Sequence, residues 1–250
     1  MPFNHDILNI TAHRPWPIPL SPWVMTQTWH DLLFAHWPIE RSVLRAKIPS
    51  GLELDEFDGL PWIGVVPFHM SNVSPRGVPS LPWLSAFPEL NVRTYVRVDG
   101  VPGVYFFSLE AANPVAVTVA RTMFHLPYFS AEMKVTERDG WIDYESRRTS
   151  SFGAPAQFVG RYRPITAPRE PVEGTLEYFL TERYCLFTVD SSHRTCRLDI
   201  HHPPWPLQSA EAEITTNTMA DASGIRLPSV APLLHFSKRQ DMVGWMLQRL

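Results

Sequence analysis

The chain has 250 residues, a net charge of −3, 44% apolar residues and 25 prolines. That length allows one large domain or two small ones with a sizeable core. The slight acidity excludes nucleic acid as the main partner, because phosphate binding needs a basic excess. Arginine supplies nearly all of the positive charge, leaving three lysines, Lys47, Lys134 and Lys238. The arginine excess fits planar, bidentate pairing or a compositional bias of the genome equally well.

The opening "MPFNHDILNI" lacks the basic-then-apolar layout of a secretory signal. No apolar run reaches the ~18 residues of a membrane helix, so no membrane partner is expected. Two cysteines, Cys185 and Cys196, fit a reduced, cytoplasmic protein. Residues 1–28, rich in Pro and Trp, are expected to wrap the surface.

"DLLFAHWPI" (31–39) reads as a strand entering a turn. "ERSVLRAKIPSG" (40–51) places Val43, Leu44 and Ile48 at helical spacing and stops at Pro49 and Gly51. Three Asp-Gly pairs follow, Asp58-Gly59, Asp99-Gly100 and Asp139-Gly140. Asp-Gly favours the positive φ of tight hairpin turns, which predicts hairpins in "LELDEFDGLPWIGVVPF", "ELNVRTYVRVDGVPGVYFFSLEA" and "AEMKVTERDGWIDYESRR". "NPVAVTVARTMF" (113–124) is a helix with Asn113 as cap and Pro114 in its first turn. "GTLEYFLTERY" (174–184) is a second helix, and "CLFTVDSSHRTCRLDI" (185–200) is a hairpin across Asp190–His193. "SKRQDMVGWMLQRL" is expected to close the chain as a helix, with Ser237 and Gln240 at capping-box spacing and Met242, Trp245 and Met246 as its buried stripe. No linker divides the chain, so 1–250 is read as a single domain, mainly β with a few short helices, curled or closed to protect its strand edges.

The strand "ELNVRTYVRV" (89–98) alternates strictly. Leu90, Val92, Thr94, Val96 and Val98 share one face, and Glu89, Asn91, Arg93, Tyr95 and Arg97 the other. Its neighbour "GVYFFSLEA" is apolar on both faces, which suggests that both are covered. The polar face is then either solvated or the wall of an internal cavity. Register decides its chemistry: opposite Glu110, Arg93 pairs with it; slipped by one, Arg93 faces Leu109 and is free for a ligand anion. Arg121, His125, Tyr128 and Glu132 gather in "ARTMFHLPYFSAEM". On the pattern alone His125 reads as a satisfied core histidine and Tyr128 as an aromatic core residue with its hydroxyl bonded, with a site role the alternative for each. No metal site is expected: His201 and His202 are adjacent in a strand and point to opposite faces. Phosphate-loop and nucleophile-elbow motifs are absent.

"DLLFAHWPI", "ELNVRTYV", "GVYFFSLEA", "ARTMFHLPYFSAEM", "HHPPWPLQSAEAEI" and "LLHFSK" resemble the YqjF-like family of bacterial proteins, within the acetoacetate decarboxylase-like superfamily. The resemblance covers nearly the whole chain. It implies a mostly β, closed barrel or cone around a central cavity. It also implies that Glu89 corresponds to a glutamate near the start of a barrel strand in the decarboxylases. "HLPY" then matches their Gly-x-Pro-Lys segment, whose lysine forms a Schiff base. Tyr128 occupies that position here, and a phenol cannot form an imine. Lys134 lies roughly 20 Å further along an extended chain, and Lys47 and Lys238 belong to other segments.

Two functions follow as expectations. One is a binding protein that holds a small anionic or carbonyl ligand, with Arg93, Arg97, Arg121 and His125 as binding residues and no cofactor. The other is a lysine-independent enzyme of lyase or hydrolase type acting on a small keto or carboxylic acid. There Tyr128 donates to an oxyanion and Glu89 is the acid or base. A homo-oligomer is left open.

Overall fold

The computed structural model describes residues 2–78 and 85–250. Its framework is one thirteen-stranded sheet with three short α-helices among the described residues. After a 3-10 turn at His5–Asn9 come β1 (Met25–Pro38), α1 (Arg41–Arg45), β2 (Glu53–Leu54), β3 (Trp62–Pro75), β4 (Phe87–Val98) and β5 (Val101–Ala111). The middle of the chain holds α2 (Pro114–Phe124), β6 (Tyr128–Arg138), β7 (Trp141–Arg148), β8 (Gln157–Pro164) and α3 (Leu176–Thr181). The chain ends with β9 (Cys185–Val189), β10 (Thr195–His201), β11 (Gln208–Asn217), β12 (Leu233–Gly244) and β13 (Gln248–Arg249).

The pairings return on themselves. From β5 they run through β6, β7, β8, β11, β12, β1, β3 and β4, and β4 pairs again with β5. β9 and β10 form a second bridge, β9 beside β5 and β10 beside β12. A ring of this kind leaves few edges open to another chain.

The Asp-Gly turns form where the chemistry demands. Asp99 (φ 49°) and Gly100 (φ 77°) join β4 to β5, and Asp139 (φ 52°) and Gly140 (φ 75°) join β6 to β7. Asp58-Gly59 makes a tight turn too, but it closes only a Phe57–Leu60 bridge. The expected first hairpin is absent, because β2 pairs with β4 rather than with β3. The β9–β10 hairpin turns at Asp190–His193, with Asp190 Oδ1 accepting from the Ser192 and Arg194 backbone N–H groups. In its register Cys185 faces Asp199 and Cys196 faces Thr188, so the two thiols are not opposite; both are free and buried.

The closing helix is a correction. Leu233–Gly244 is strand β12, paired with β1 from Met25↔Gly244 to His36↔Leu233. Ser237 and Gln240 are interior strand positions, Met242 and Trp245 are buried, and Met246 is exposed. A long ladder and two covered faces outweigh a capping pattern worth about 1 kcal/mol. α2 forms as expected, with Asn113 Oδ1 accepting from the N–H groups of Val115 and Ala116. It ends at His125, which takes a left-handed conformation (φ 51°).

The wall made by β1, β3, β4 and β5 is covered on both sides. On one face Leu33, Val65, Leu90 and Val92 pack against Tyr144, Phe158 and Tyr162 of β7 and β8 in a mainly apolar core. On the other, Leu32, Val66, Phe68, Leu109 and Ala111 meet Val117 of α2, Tyr128 and Trp205. That second side is where the space lies. N-terminal residues cross the sheet edge as expected from their composition: Arg14 donates to the Ile200 carbonyl and His201 to that of Ile7. No helix among the described residues is long and apolar enough to cross a membrane.

Candidate functional site

Between this wall, α2 and the β9–β10 hairpin lies a cavity of about 210 Å3. β4 contributes Phe87, Glu89, Asn91 and Arg93, alternate residues of one face. The face that alternation marked as polar therefore looks inward. It is buried because α2 and β9–β10 cover it, which a strand pattern cannot reveal. Most of the lining is apolar, including Phe68, Met70, Phe106, Leu198 and Ile200.

Glu89 is 3% exposed. The Tyr128 hydroxyl donates to its Oε2 at 2.8 Å. Tyr144, from the opposite face, donates to the Glu89 and Phe68 backbone carbonyls at 2.6 and 2.9 Å and fixes the strand there. Burial pushes the Glu89 carboxyl up to about 8, opposed by the Tyr128 hydrogen bond and reinforced by the Glu110 charge. Burial likewise lifts the Tyr128 phenol well above its ordinary value. At neutral pH the pair is thus a carboxylic acid beside a phenol, both carrying protons. A neutral acid of this kind can donate to a carbonyl or carboxylate oxygen without repelling an anion.

Arg93 enters the cavity beyond Asn91. Its guanidinium donates to the Leu180 carbonyl at 3.0 Å and lies 5.3 Å from the centre of the Phe34 ring. Its Nε, Asn91 Oδ1 and Trp205 Nε1 are buried with no hydrogen-bond partner in the structure. Leaving such groups unpaired costs about 1–3 kcal/mol each. The register of Arg93 is neither of the two expected. β4 and β5 slip between Val92 and Arg93, so Leu90 faces Glu110, Asn91 faces Leu109 and Arg93 faces Phe106. Glu110 is taken instead by Arg148, whose Nε donates to it at 3.0 Å.

The other expected residues lie elsewhere. Arg97 sits beside β2, where its Nε donates to Asp55 Oδ1 at 2.6 Å, outside the cavity lining. Arg121 donates to the Tyr128 carbonyl at 2.7 Å and stacks on Phe152 at 4.3 Å. The His125 carbonyl accepts from Thr188 at 2.8 Å. Neither lines the space. No lysine lines it either: Lys134 is on the exposed stretch of β6, and Lys238 bonds Asp31 at 2.7 Å.

The structure adds residues that the sequence did not assign to this site. His202 lines the cavity, stacks on Tyr184 and is pushed down to about 3 by burial, so it is neutral. Arg183 reaches the same region but is held by Asp55 at 2.6 Å and the Phe179 carbonyl at 2.7 Å. Trp205 could have been found from "HHPPWP", a tryptophan between prolines; Thr181 and Arg183 carry no local signal. Among the described residues no His, Cys, Asp and Glu cluster could hold a metal ion.

Comparison with known proteins places this geometry. The model of the DUF2071 family, described as an uncharacterized conserved protein, matches residues 26–241. The uncharacterized protein YqjF of Bacillus subtilis (strain 168) is 50% identical over 232 residues, which is 93% of this chain and 95% of that protein. Among solved structures, acetoacetate decarboxylase from Legionella pneumophila superposes with a TM-score of 0.62 at 15% identity, covering 98% of this chain and 95% of that one. The enduracididine biosynthesis enzyme MppR, in complex with pyruvate, superposes with a TM-score of 0.61 at 10% identity, covering 94% and 93%. At these identities the likeness is one of fold.

Proposed function

We propose a function from one premise: this chain belongs to the DUF2071 family of uncharacterized conserved proteins and has the fold of acetoacetate decarboxylases. On that premise the protein binds a small organic molecule with a carbonyl or carboxylate oxygen, inside a cone of strands, and forms no Schiff base with it. The observation that carries this reading is the buried Glu89–Tyr128 hydrogen bond in an apolar cavity that Arg93 also lines, with burial favouring the protonated carboxyl. Apolar walls with a few convergent polar groups are the common form of small-molecule sites. MppR, a protein of the same fold, is known in complex with pyruvate, which supports a small oxo acid as one ligand to try. An imine would need an amine in the wall, and Tyr128 offers a phenol.

Isothermal titration with short monocarboxylic and oxo acids tests the binding. Wild type is expected to bind at least one, and Arg93→Gln to bind it at least tenfold more weakly. Borohydride reduction in the presence of acetoacetate is expected to leave the intact mass unchanged. A stable adduct on any lysine would return the protein to Schiff-base chemistry.

A second reading has one specific observation in its favour. A carboxyl poised at about 8 beside a phenol is an acid–base pair matched to neutral pH. Under it the protein is a lyase or hydrolase acting on a small keto or carboxylic acid, with Tyr128 stabilising an oxyanion. Turnover of a bound acid that is lost in Glu89→Gln, with binding retained, decides for it.

A further inference from the structure

The cavity's polar groups are not gathered at one point. Glu89 and Arg93 stand four residues apart on one face of β4, so their Cα atoms are roughly 13 Å apart. The lining continues along the same strand to Phe87, and along β3 from Val66 to Val73. The space is therefore long in the direction of the strands. Glu89 and Tyr128 form one polar station, with Phe87, Met70 and Val73 beyond them, and Arg93, close to the Leu180 carbonyl at the end of α3, forms a second. Between them the walls are Leu109, Phe106, Leu126 and neighbours, with Asn91 as the intervening polar side chain.

The two stations differ in charge. Glu89 is a neutral acid at neutral pH, whereas Arg93 is a cation whose Nε–H is buried and unpartnered. A three- or four-carbon acid reaches one station or the other and leaves the second unsatisfied. Resting on the binding function proposed above, we infer that the ligand is an elongated organic acid with two polar ends. Its carboxylate meets Arg93, its second, uncharged oxygen meets Glu89 and Tyr128, and an apolar spacer fills the stretch between. Side chains project into the cavity from both stations, so the end groups lie roughly 7–13 Å apart. That corresponds to a chain of roughly six to ten carbons. Asn91 Oδ1 is an unpaired acceptor midway and suits a hydroxyl or amide on the spacer.

The α2 side of the cavity suits such a molecule. Val119 of α2 lines the cavity and is 44% exposed, and Val115 and Met123 extend its exposed stripe one turn to either side. A chain with apolar methylenes can pass this rim without crossing a charged barrier.

The test is a length series, monomethyl esters of straight-chain dicarboxylic acids from four to twelve carbons, titrated calorimetrically into the full-length protein at pH 7. Each probe carries one carboxylate and one neutral carbonyl, and only their separation changes. Affinity is expected to rise at least tenfold from four carbons to an optimum between six and ten and then to fall. At the optimum, the plain fatty acid of equal length, which lacks the second oxygen, is expected to bind about tenfold more weakly. Arg93→Gln should abolish the optimum and Arg93→Lys should keep part of it; if Arg93→Gln does not fold, the series on wild type decides alone. Affinity that is flat or falls with length from four carbons, while short acids still bind, overturns the two-station site and leaves the binding function standing. Failure of every acid of every length overturns both.

Discussion

Two buried glutamates stand on neighbouring strands and meet opposite fates. Glu89 on β4 faces Ala111, and Glu110 on β5 faces Leu90, so the two side chains leave the wall on opposite faces. Glu110 points to the apolar core on the other side and is met by Arg148, itself seated 3.7 Å from the Phe129 ring centre and tied to the Ala154 carbonyl. Glu89 enters the cavity and receives only a phenol. Burial pushes the Glu110 carboxyl up as well, but Arg148 and the Ser108 hydroxyl oppose that shift with a charge and hydrogen bonds, whereas only the Tyr128 hydroxyl opposes it at Glu89. A buried carboxyl met by a guanidinium holds the fold together, and removing its partner is costly; one met only by a phenol inside a cavity is a candidate for chemistry or binding.

The sharpest way to break this contrast is at Glu110. Arg148→Met should leave a buried carboxylate without its partner and destabilise the fold by about 3–5 kcal/mol, read from urea unfolding. The double change with Glu110→Gln should recover most of that loss. A single variant as stable as wild type would show that Arg148 does not neutralise Glu110.

Glu89 should behave oppositely, through pH. Its folded-state value, about 8, lies above the usual carboxylate value of 4.5. The native state thus holds an extra proton between these values, and stability falls as pH rises from about 4.5 through about 8. The loss is a few kcal/mol at most by linkage. His202, pushed down to about 3, works in the other direction as pH falls below 6.5, so the measurement is the difference between wild type and Glu89→Gln. That difference should grow between pH 6.5 and 9 in favour of the variant. A pH-independent difference would mean that Glu89 is ionised at neutrality. Anion binding should weaken over the same range, since the deprotonated Glu89 repels the ligand.

Tyr128→Phe is expected to cost about 1 kcal/mol, the net worth of one hydrogen bond. It should also move the Glu89 midpoint upward, because the hydroxyl favours the ionised form. A downward movement would place the Tyr128 proton elsewhere. The smallest effect belongs to the outer sheet. Arg161 and Glu213 pair across β8 and β11 at 2.9 Å, in water. Arg161→Ala should leave the urea midpoint unchanged, since exposed pairs contribute little; a clear loss would show that the outer ladder stabilises the fold as the inner pair does.

Much of the fold is legible in the sequence itself. Asp99-Gly100 and Asp139-Gly140 dictate positive φ locally, so their hairpins were legible. So was α2, through Asn113 and Pro114. The strict alternation of residues 89–97 marked one face as special, and Tyr128, standing where the resemblance puts a lysine, carried the expectation of no imine. These are properties of a few consecutive residues, and short-range sterics and hydrogen bonding decide them. The closing segment shows the limit. Ser237 and Gln240 carry a helix signal, yet β1 offers eleven partners to the same stretch, and ladder and burial prevail. The slip between Val92 and Arg93, the assignment of Arg148 to Glu110, and the covering of Glu89 by α2 and the β9–β10 hairpin join residues far apart in the chain. Only the tertiary structure could decide them, because the burial that sets the charge of Glu89 belongs to the surroundings it shares and not to its neighbours in sequence.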